Sequence, residues 1–124
     1  MKLRTFLIVA AIIALAYGLG LSLMPAFINT AYGLGTSTSE ILLSRFFGAE
    51  LVALGLVAWL SKDLTGASVR PIVFGSLVGD AIATIVALMG TLGGVMNSAG
   101  WSAVAINIIL ALGFAYFQFM APAK

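Results

Sequence analysis

Three ionisable side chains interrupt apolar stretches of the chain, where they could exchange protons or form ion pairs. Arg45 and Glu50 lie within SRFFGAELVALGLVAWL at 44–60, and Asp80 lies within PIVFGSLVGDAIATIVALMGTL at 71–92. Two carboxylates at one depth could form an acid–base pair or a proton-coupled transport site. Together with an arginine they could instead form a structural ion-pair network.

The residue inventory argues against most other chemistry. The chain has no histidine and no cysteine, so the commonest general base and the usual zinc and haem ligands are missing. We therefore predict a non-enzyme with no catalytic residue, no metal site and no resident cofactor. The aromatic tail FAYFQF at 114–119 could line a groove for lipid, quinone or carotenoid, although a lipid-facing belt is the favoured interpretation. The net charge of +2 is too small to favour a nucleic-acid partner.

The composition places these charges in a lipid environment. The 124-residue chain is 62% hydrophobic and 8% charged, with a mean hydropathy of +1.18, whereas soluble domains carry about 25% charged residues. A spanning helix needs roughly 20 mostly apolar residues, and four windows qualify, at about 5–24, 38–60, 71–92 and 100–120. The sequence therefore predicts one transmembrane domain over 1–124, an all-α integral membrane four-helix bundle with up-down-up-down order.

Local signals mark where these helices begin and end. Pro25 predicts the end of the first helix, because the residue before a proline avoids the helical region. The sequence STSE at 37–40 predicts a capping box at the start of the second helix. Pro71 fits the first turn of the third helix, where a missing N–H costs nothing.

Basic residues outside the windows predict the orientation in the membrane. The loops at about 25–37 and 93–99 contain no lysine or arginine. All five basic residues outside the windows lie on what would be the other side of a four-span protein: Lys2, Arg4, Lys62, Arg70 and Lys124. By the positive-inside rule, both termini are expected in the cytoplasm. We further expect a multi-pass protein of the bacterial inner membrane.

The charges inside the windows are expected to face the bundle interior. Each costs about 2.5–3.5 kcal/mol at the bilayer centre on insertion scales. Arg45 and Glu50 are about 140° apart around their helix, so Arg45 could pair with Asp80 as well as with Glu50. With one arginine against two carboxylates, one carboxyl is expected to be protonated. We predict an intramembrane polar network that fixes helix packing, formed by Tyr17, Arg45, Glu50, Asp80 and Asn107.

Small residues predict where helices approach closely, because helices in lipid associate through close packing rather than apolar burial. Gly75, Gly79 and Ala83 follow one another at four-residue spacing on the third helix. Gly48 and Gly55 lie on one side of the second helix. Contact within the bundle is the favoured interpretation, and contact with another subunit is the alternative.

The stretch SRFFGAELVALGLVAW resembles small bacterial four-helix integral membrane families. These carry Arg-x-x-Gly-(Gly/Ala) early in the second helix and a further glycine later, matched by Arg45, Gly48, Ala49 and Gly55. The chain is also distantly similar to the ergosterol-biosynthesis scaffold family, which has four helices and an arginine just before a glycine in the second. The resemblance implies a four-span layout and, for the scaffold family, tethering of enzymes without catalysis. It does not carry over a sterol-related function.

Three functions fit these features. The favoured one is a non-catalytic accessory or scaffold subunit, bound in the lipid bilayer to other membrane subunits or to itself, since the loops are short and no catalytic constellation is present. The alternative is a small homo-oligomeric proton-coupled transporter or channel that uses Glu50 and Asp80. An intramembrane enzyme with the same two residues as its acid–base pair is the third.

Overall fold

The computed structural model describes residues 1–121, and that part of the chain is helical without strands. A 3-10 turn at Gly66–Ser68 precedes the fourth helix, and the fifth continues into a π-helical turn at Tyr116–Met120. The five α-helices are α1 Leu3–Leu23, α2 Pro25–Ala31, α3 Thr38–Leu60, α4 Arg70–Leu92 and α5 Gly100–Ala115.

Four segments are long and apolar enough to cross a membrane. They are α1, α3, α4 with its preceding turn, and α5 with its π-helical turn. The prediction of an all-α protein is confirmed for the described residues, as is that of four helices long and apolar enough to span a membrane, and this architecture fits a multi-pass membrane protein.

The helix boundaries follow the local sequence signals, with one addition. The Ser37 Oγ accepts a hydrogen bond from the Glu40 backbone N–H at 3.3 Å, and the Glu40 carboxylate accepts one from the Ser37 N–H at 2.9 Å, which completes the capping box. Pro25 does end α1, but it also begins the short helix α2. A proline suits the first turn of a helix, so a stretch expected to be a loop contains a helix.

Glycines let the backbones of α1 and α3 come into direct contact. A methyl group added to Gly18 would lie 2.7 Å from the Val52 backbone nitrogen, and one added to Gly48 would lie 2.7 Å from the Ser22 backbone nitrogen. Gly55 has the same role against Leu15, whose Cγ would be 2.7 Å away. The partner residue numbers fall as the α3 numbers rise, so the two helices are antiparallel.

The apolar core lies at the end of the bundle that contains the start of α1. Phe6 packs edge-on against Phe114 with ring centroids 4.8 Å apart, and against Phe117 at 5.5 Å. Ala58 of α3 and Val73 of α4 join the same buried cluster, so all four spanning segments meet there. Phe114 and Phe117 of the aromatic tail are therefore core residues, which corrects the expectation of a lipid-facing belt for these two. Tyr116 and Phe119 of the same tail are exposed.

Polar contacts join the helices at the opposite end. The Tyr17 hydroxyl lies 3.0 Å from the Tyr32 hydroxyl, which lies 3.2 Å from the Ser102 hydroxyl. These contacts link α1, the residue after α2, and α5. The Asn97 side chain donates to the Ala31 backbone oxygen at 3.1 Å, so α2 and the residues that follow it connect the α1–α3 pair to the α4–α5 pair.

Candidate functional site

Arg45 and Glu50 lie on exposed positions of α3. The buried residues of this helix are Gly48, Gly55 and Ala58, on the side that packs against α1 and the core. At about 100° per residue, the two charged residues flank the opposite side of the helix. Because the glycine side of α3 packs against α1, Arg45 and Glu50 lie on the side of α3 away from α1.

The predicted network does not form within the described part of one chain. Residues 1–121 contain two side-chain ion pairs, Arg4–Asp63 at 2.8 Å and Lys62–Asp63 at 3.7 Å, both at the end of the bundle that contains the start of α1. Arg45, Glu50 and Asp80 form no ion pair with one another. The physical reason is helix pairing: α1 packs extensively on α3, and α4 packs on α5, whereas α3 and α4 do not pack extensively on each other.

Asp80 is half-buried on α4, apart from the α3 charges. Its backbone oxygen accepts a hydrogen bond from the Thr84 hydroxyl at 2.7 Å. The Asn107 side chain donates to the Ala103 backbone oxygen of its own helix at 2.8 Å. Neither contact reaches Arg45, so Asp80 and Asn107 belong to the α4–α5 pair.

Tyr17 contacts Tyr32 instead of the charged residues. The polar side chain that sequence analysis missed is Asn29 of α2, which is 3% exposed. It accepts a hydrogen bond from the Ser44 hydroxyl at 3.0 Å and donates to the Gly35 backbone oxygen at 3.1 Å. The available signal is an asparagine in the apolar-flanked run PAFINTA, but the sequence predicts a loop over that segment.

The two glycine stripes have different surroundings. Gly48 and Gly55 are buried at the α1–α3 contact. Gly75 and Gly79 are exposed on α4, and a methyl group added to either would meet nothing within 4 Å. Ala83 is half-buried on the same helix. Close packing within the chain therefore uses the α3 stripe and leaves the two α4 glycines uncovered.

The side of α3 that faces away from α1 is a continuous exposed surface. Arg45 and Glu50 border it, and an open depression lies between Arg45, Leu42, Phe46 and Ala49. Phe46, which lines this depression, is 62% exposed. We call this surface the α3 outer face, and its residues are Leu42, Arg45, Phe46, Ala49, Glu50, Ala53, Leu56, Val57 and Leu60.

No family model, curated protein or solved structure matches the chain. The resemblance carried by Arg45, Gly48, Ala49 and Gly55 therefore stays a prediction.

The charged side chains of the α3 outer face, Arg45 and Glu50, can form ion pairs. Among residues 1–121, no three histidine, cysteine, aspartate or glutamate side chains are grouped as a metal site would require. Glu50 and Asp80 lie on helices that pack on different neighbours, so one chain does not assemble them into an acid–base pair. An exposed cation and an exposed anion on one helix can each form an ion pair with an oppositely charged side chain of another helix.

Proposed function

We propose that the chain is a non-catalytic accessory or scaffold subunit of a larger membrane assembly. In this proposal, the α3 outer face contacts a transmembrane helix of another subunit. Glu50 carries the proposal, because it is exposed at mid-helix and has no ionic partner within residues 1–121.

The depth of Glu50 is what makes a protein partner favourable. Arg45 follows the first residue of α3, Thr38, by about 10 Å along the axis, so its long side chain can extend toward the membrane surface. Glu50 lies about 18 Å along a helix that is about 34 Å long. Its short side chain reaches neither surface, and a lone charge there costs about 2.5–3.5 kcal/mol on insertion scales. A cation supplied by another subunit offsets that cost.

The proposal includes an orientation in the bacterial inner membrane, with up-down-up-down helix order and both termini in the cytoplasm. The distribution of lysine and arginine supports it by the positive-inside rule. The Arg4–Asp63 ion pair is consistent with it, since that contact brings the start of α1 and the α3–α4 loop to one end of the bundle. Lys124 lies outside the described residues.

A proton-coupled transporter is the second candidate, favoured by one observation: Asp80 is a half-buried carboxylate without an ion pair within residues 1–121. Proton flux in liposomes should then fall in Glu50→Gln and in Asp80→Asn relative to the wild type. Equal flux in all three would reject transport through these residues and leave the subunit proposal standing.

Photo-crosslinking tests the subunit proposal with two adjacent positions. Phe46 and Phe47 are 62% and 58% exposed in the single chain and differ by about 1.5 Å in depth. Only Phe46 lies on the α3 outer face. A photoreactive phenylalanine analogue at Phe46 should form protein adducts in native membranes, while the same analogue at Phe47 should react mainly with lipid. Lipid adducts alone at both positions would contradict the proposal.

A further inference from the structure

The α3 outer face has the residue spacing of a two-stranded helical seam. Six of its exposed apolar residues recur at alternating steps of four and three residues, the a and d pattern of a heptad repeat. The adjacent side of α3 has the same spacing at Leu43, Phe47, Leu54 and Val57, but Glu50 lies in line with those residues, so the two charges flank only the first row. Leu42, Ala49 and Leu56 occupy d positions, while Phe46, Ala53 and Leu60 occupy a positions. All six side chains are exposed in the single chain, so the seam is unoccupied along the length of α3.

The two charges occupy the positions that flank such a seam. Arg45 precedes an a residue and is therefore at g, and Glu50 follows a d residue and is therefore at e of the next heptad. Residues at e and g form the ion pairs between helices that set partner choice and orientation in parallel coiled coils. Arg45 and Glu50 are thus placed on opposite edges of one seam.

From this spacing we infer that the partner on the α3 outer face is a second copy of the chain. In a parallel, two-fold symmetric pair, the g residue of one helix faces the e residue five positions later on the other. Arg45 then pairs with Glu50 of the partner subunit, and Glu50 pairs with Arg45 of the partner subunit. Both intramembrane charges are satisfied at once. This inference rests on the proposed function and names the partner.

The middle of the seam is compatible with close approach. Ala49 and Ala53 lie between the larger residues Phe46 and Leu56, so two copies can approach through small side chains, as membrane helices commonly do. The depression beside Phe46 offers a hole for an apolar side chain of the facing helix. Two copies in the same membrane orientation have parallel α3 helices, which is the arrangement that the charge spacing requires.

Cysteine cross-linking detects this contact directly, because the native chain has no cysteine. Ala49→Cys and Ala53→Cys place a thiol in the seam, and Leu54→Cys places one on α3 at a position that is 57% exposed but outside the seam. Oxidation in native membranes should give a disulfide-linked species of twice the 12.8 kDa chain mass for the first two variants. The Leu54→Cys variant should remain monomeric.

Charge exchange tests whether the ion pairs set the contact. In the Ala49→Cys background, Arg45→Glu and Glu50→Arg should each reduce the cross-linked dimer by roughly tenfold, because like charges then face each other. The double exchange Arg45→Glu/Glu50→Arg should restore it. Co-expression of the two single variants should give a mixed dimer, since all four charges are then paired. That mixed dimer also shows that each single variant folds and inserts.

The outcomes separate this inference from the proposed function. A different protein cross-linked to Ala49→Cys, without recovery in the double exchange, would overturn the second-copy inference and leave the subunit proposal intact. Equal yields of disulfide-linked dimer from the two seam variants and from Leu54→Cys would also overturn the inference, since the cross-links would then come from random contact. If neither the cysteine variants nor the Phe46 photoprobe captures any protein, both proposals fail.

Discussion

At the residue scale, Asn29 holds the connection between α2 and α3. Its side chain is buried, with the oxygen accepting from the Ser44 hydroxyl and the nitrogen donating to the Gly35 backbone oxygen. Its backbone oxygen also accepts from the Leu34 N–H at 2.7 Å. Through these three hydrogen bonds, Asn29 orders the turn between α2 and the capping box at the start of α3.

Replacing Asn29 by alanine should destabilise the fold. The half-buried Ser44 hydroxyl and the exposed Gly35 backbone oxygen lose their hydrogen-bond partner, and each lost hydrogen bond costs about 0.5–1.5 kcal/mol. Unfolding of Asn29→Ala in mild detergent should show this loss, with Thr30→Ala as the control on the same helix, since Thr30 is exposed. An Asn29→Ala protein as stable as the Thr30→Ala protein would contradict the assigned role.

The pair Arg4–Asp63 gives a small, pH-dependent contribution to stability. The hydrogen bond from Arg4 is the main cause that lowers the pKa of Asp63 below its ordinary value. A carboxyl whose pKa is lower in the folded state stabilises that state above its unfolded pKa, about 3.9, and the contribution disappears as the pH falls through the folded value. Asp63→Asn should therefore melt slightly below the wild type at neutral pH and together with it in strong acid.

The measurement is thermal unfolding in detergent at both pH values, with added salt as a control. Both side chains are solvent-exposed, so salt should screen the neutral-pH difference. A difference between Asp63→Asn and the wild type that grows toward acid would contradict a lowered pKa for Asp63.

The charged residues could be located from the sequence, but their partners could not. The Ser37–Glu40 capping box could be predicted because its two members are three residues apart and need only each other. The partner of Arg45 depends on which side of α3 packs against α1, and no local pattern specifies that. Asn29 was missed for the same reason, since its burial depends on contacts with the residues around Gly35 and Ser44.

At the element scale, hydropathy and length predicted the four spans, but not their inner faces. Any side of a helix that is apolar all round can face lipid. The periodicity of its apolar residues therefore says little about which side packs against other helices. Backbone proximity decides instead: α3 turns Gly48 and Gly55 toward α1, while Gly75 and Gly79 of α4 stay uncovered. Glycine spacing suggested both stripes equally, and only the fold distinguishes them.

This distinction predicts different effects of one substitution at two glycines. Gly48→Ala places a methyl group 2.7 Å from the Ser22 backbone nitrogen and 2.8 Å from the Gly18 backbone oxygen. Neither atom is the end of a flexible side chain, so α1 and α3 must separate, at a cost of about 1–3 kcal/mol for an overpacked contact. Gly79→Ala meets nothing within 4 Å, and it should leave the stability unchanged or raise it slightly.

Unfolding of the two variants in the same detergent provides the comparison. Equal destabilisation by both substitutions would mean that Gly79 is also in a close contact, and equal tolerance would mean that α1 and α3 do not approach at Gly48.

At the scale of the whole molecule, the fold separates the two ends of the bundle. The apolar core and the Arg4–Asp63 pair lie at one end, and the Tyr17–Tyr32–Ser102 contacts lie at the other. The proposed orientation puts the first of these ends in the cytoplasm. Length and composition were enough to predict a membrane protein, whereas the pairing of α1 with α3 and of α4 with α5 required the structure.

Cysteine labelling tests the orientation, again in a chain without native cysteine. Thr36→Cys lies in the α2–α3 loop and Thr65→Cys in the α3–α4 loop, and both positions are exposed. In spheroplasts, a membrane-impermeant maleimide should label Thr36→Cys, and it should label Thr65→Cys only after permeabilisation. The reverse pattern would place both termini outside the cytoplasm.

We expect protein, not lipid, to cover the α3 outer face in the membrane. Spin labels at Phe46→Cys and Phe47→Cys report this through their accessibility to dissolved oxygen, because the two side chains have nearly equal depth and are 62% and 58% exposed in the single chain. We expect clearly lower oxygen accessibility at position 46 than at position 47 in native-lipid membranes. Equal accessibility, with both labels as open to oxygen as a lipid-facing site, would contradict this expectation.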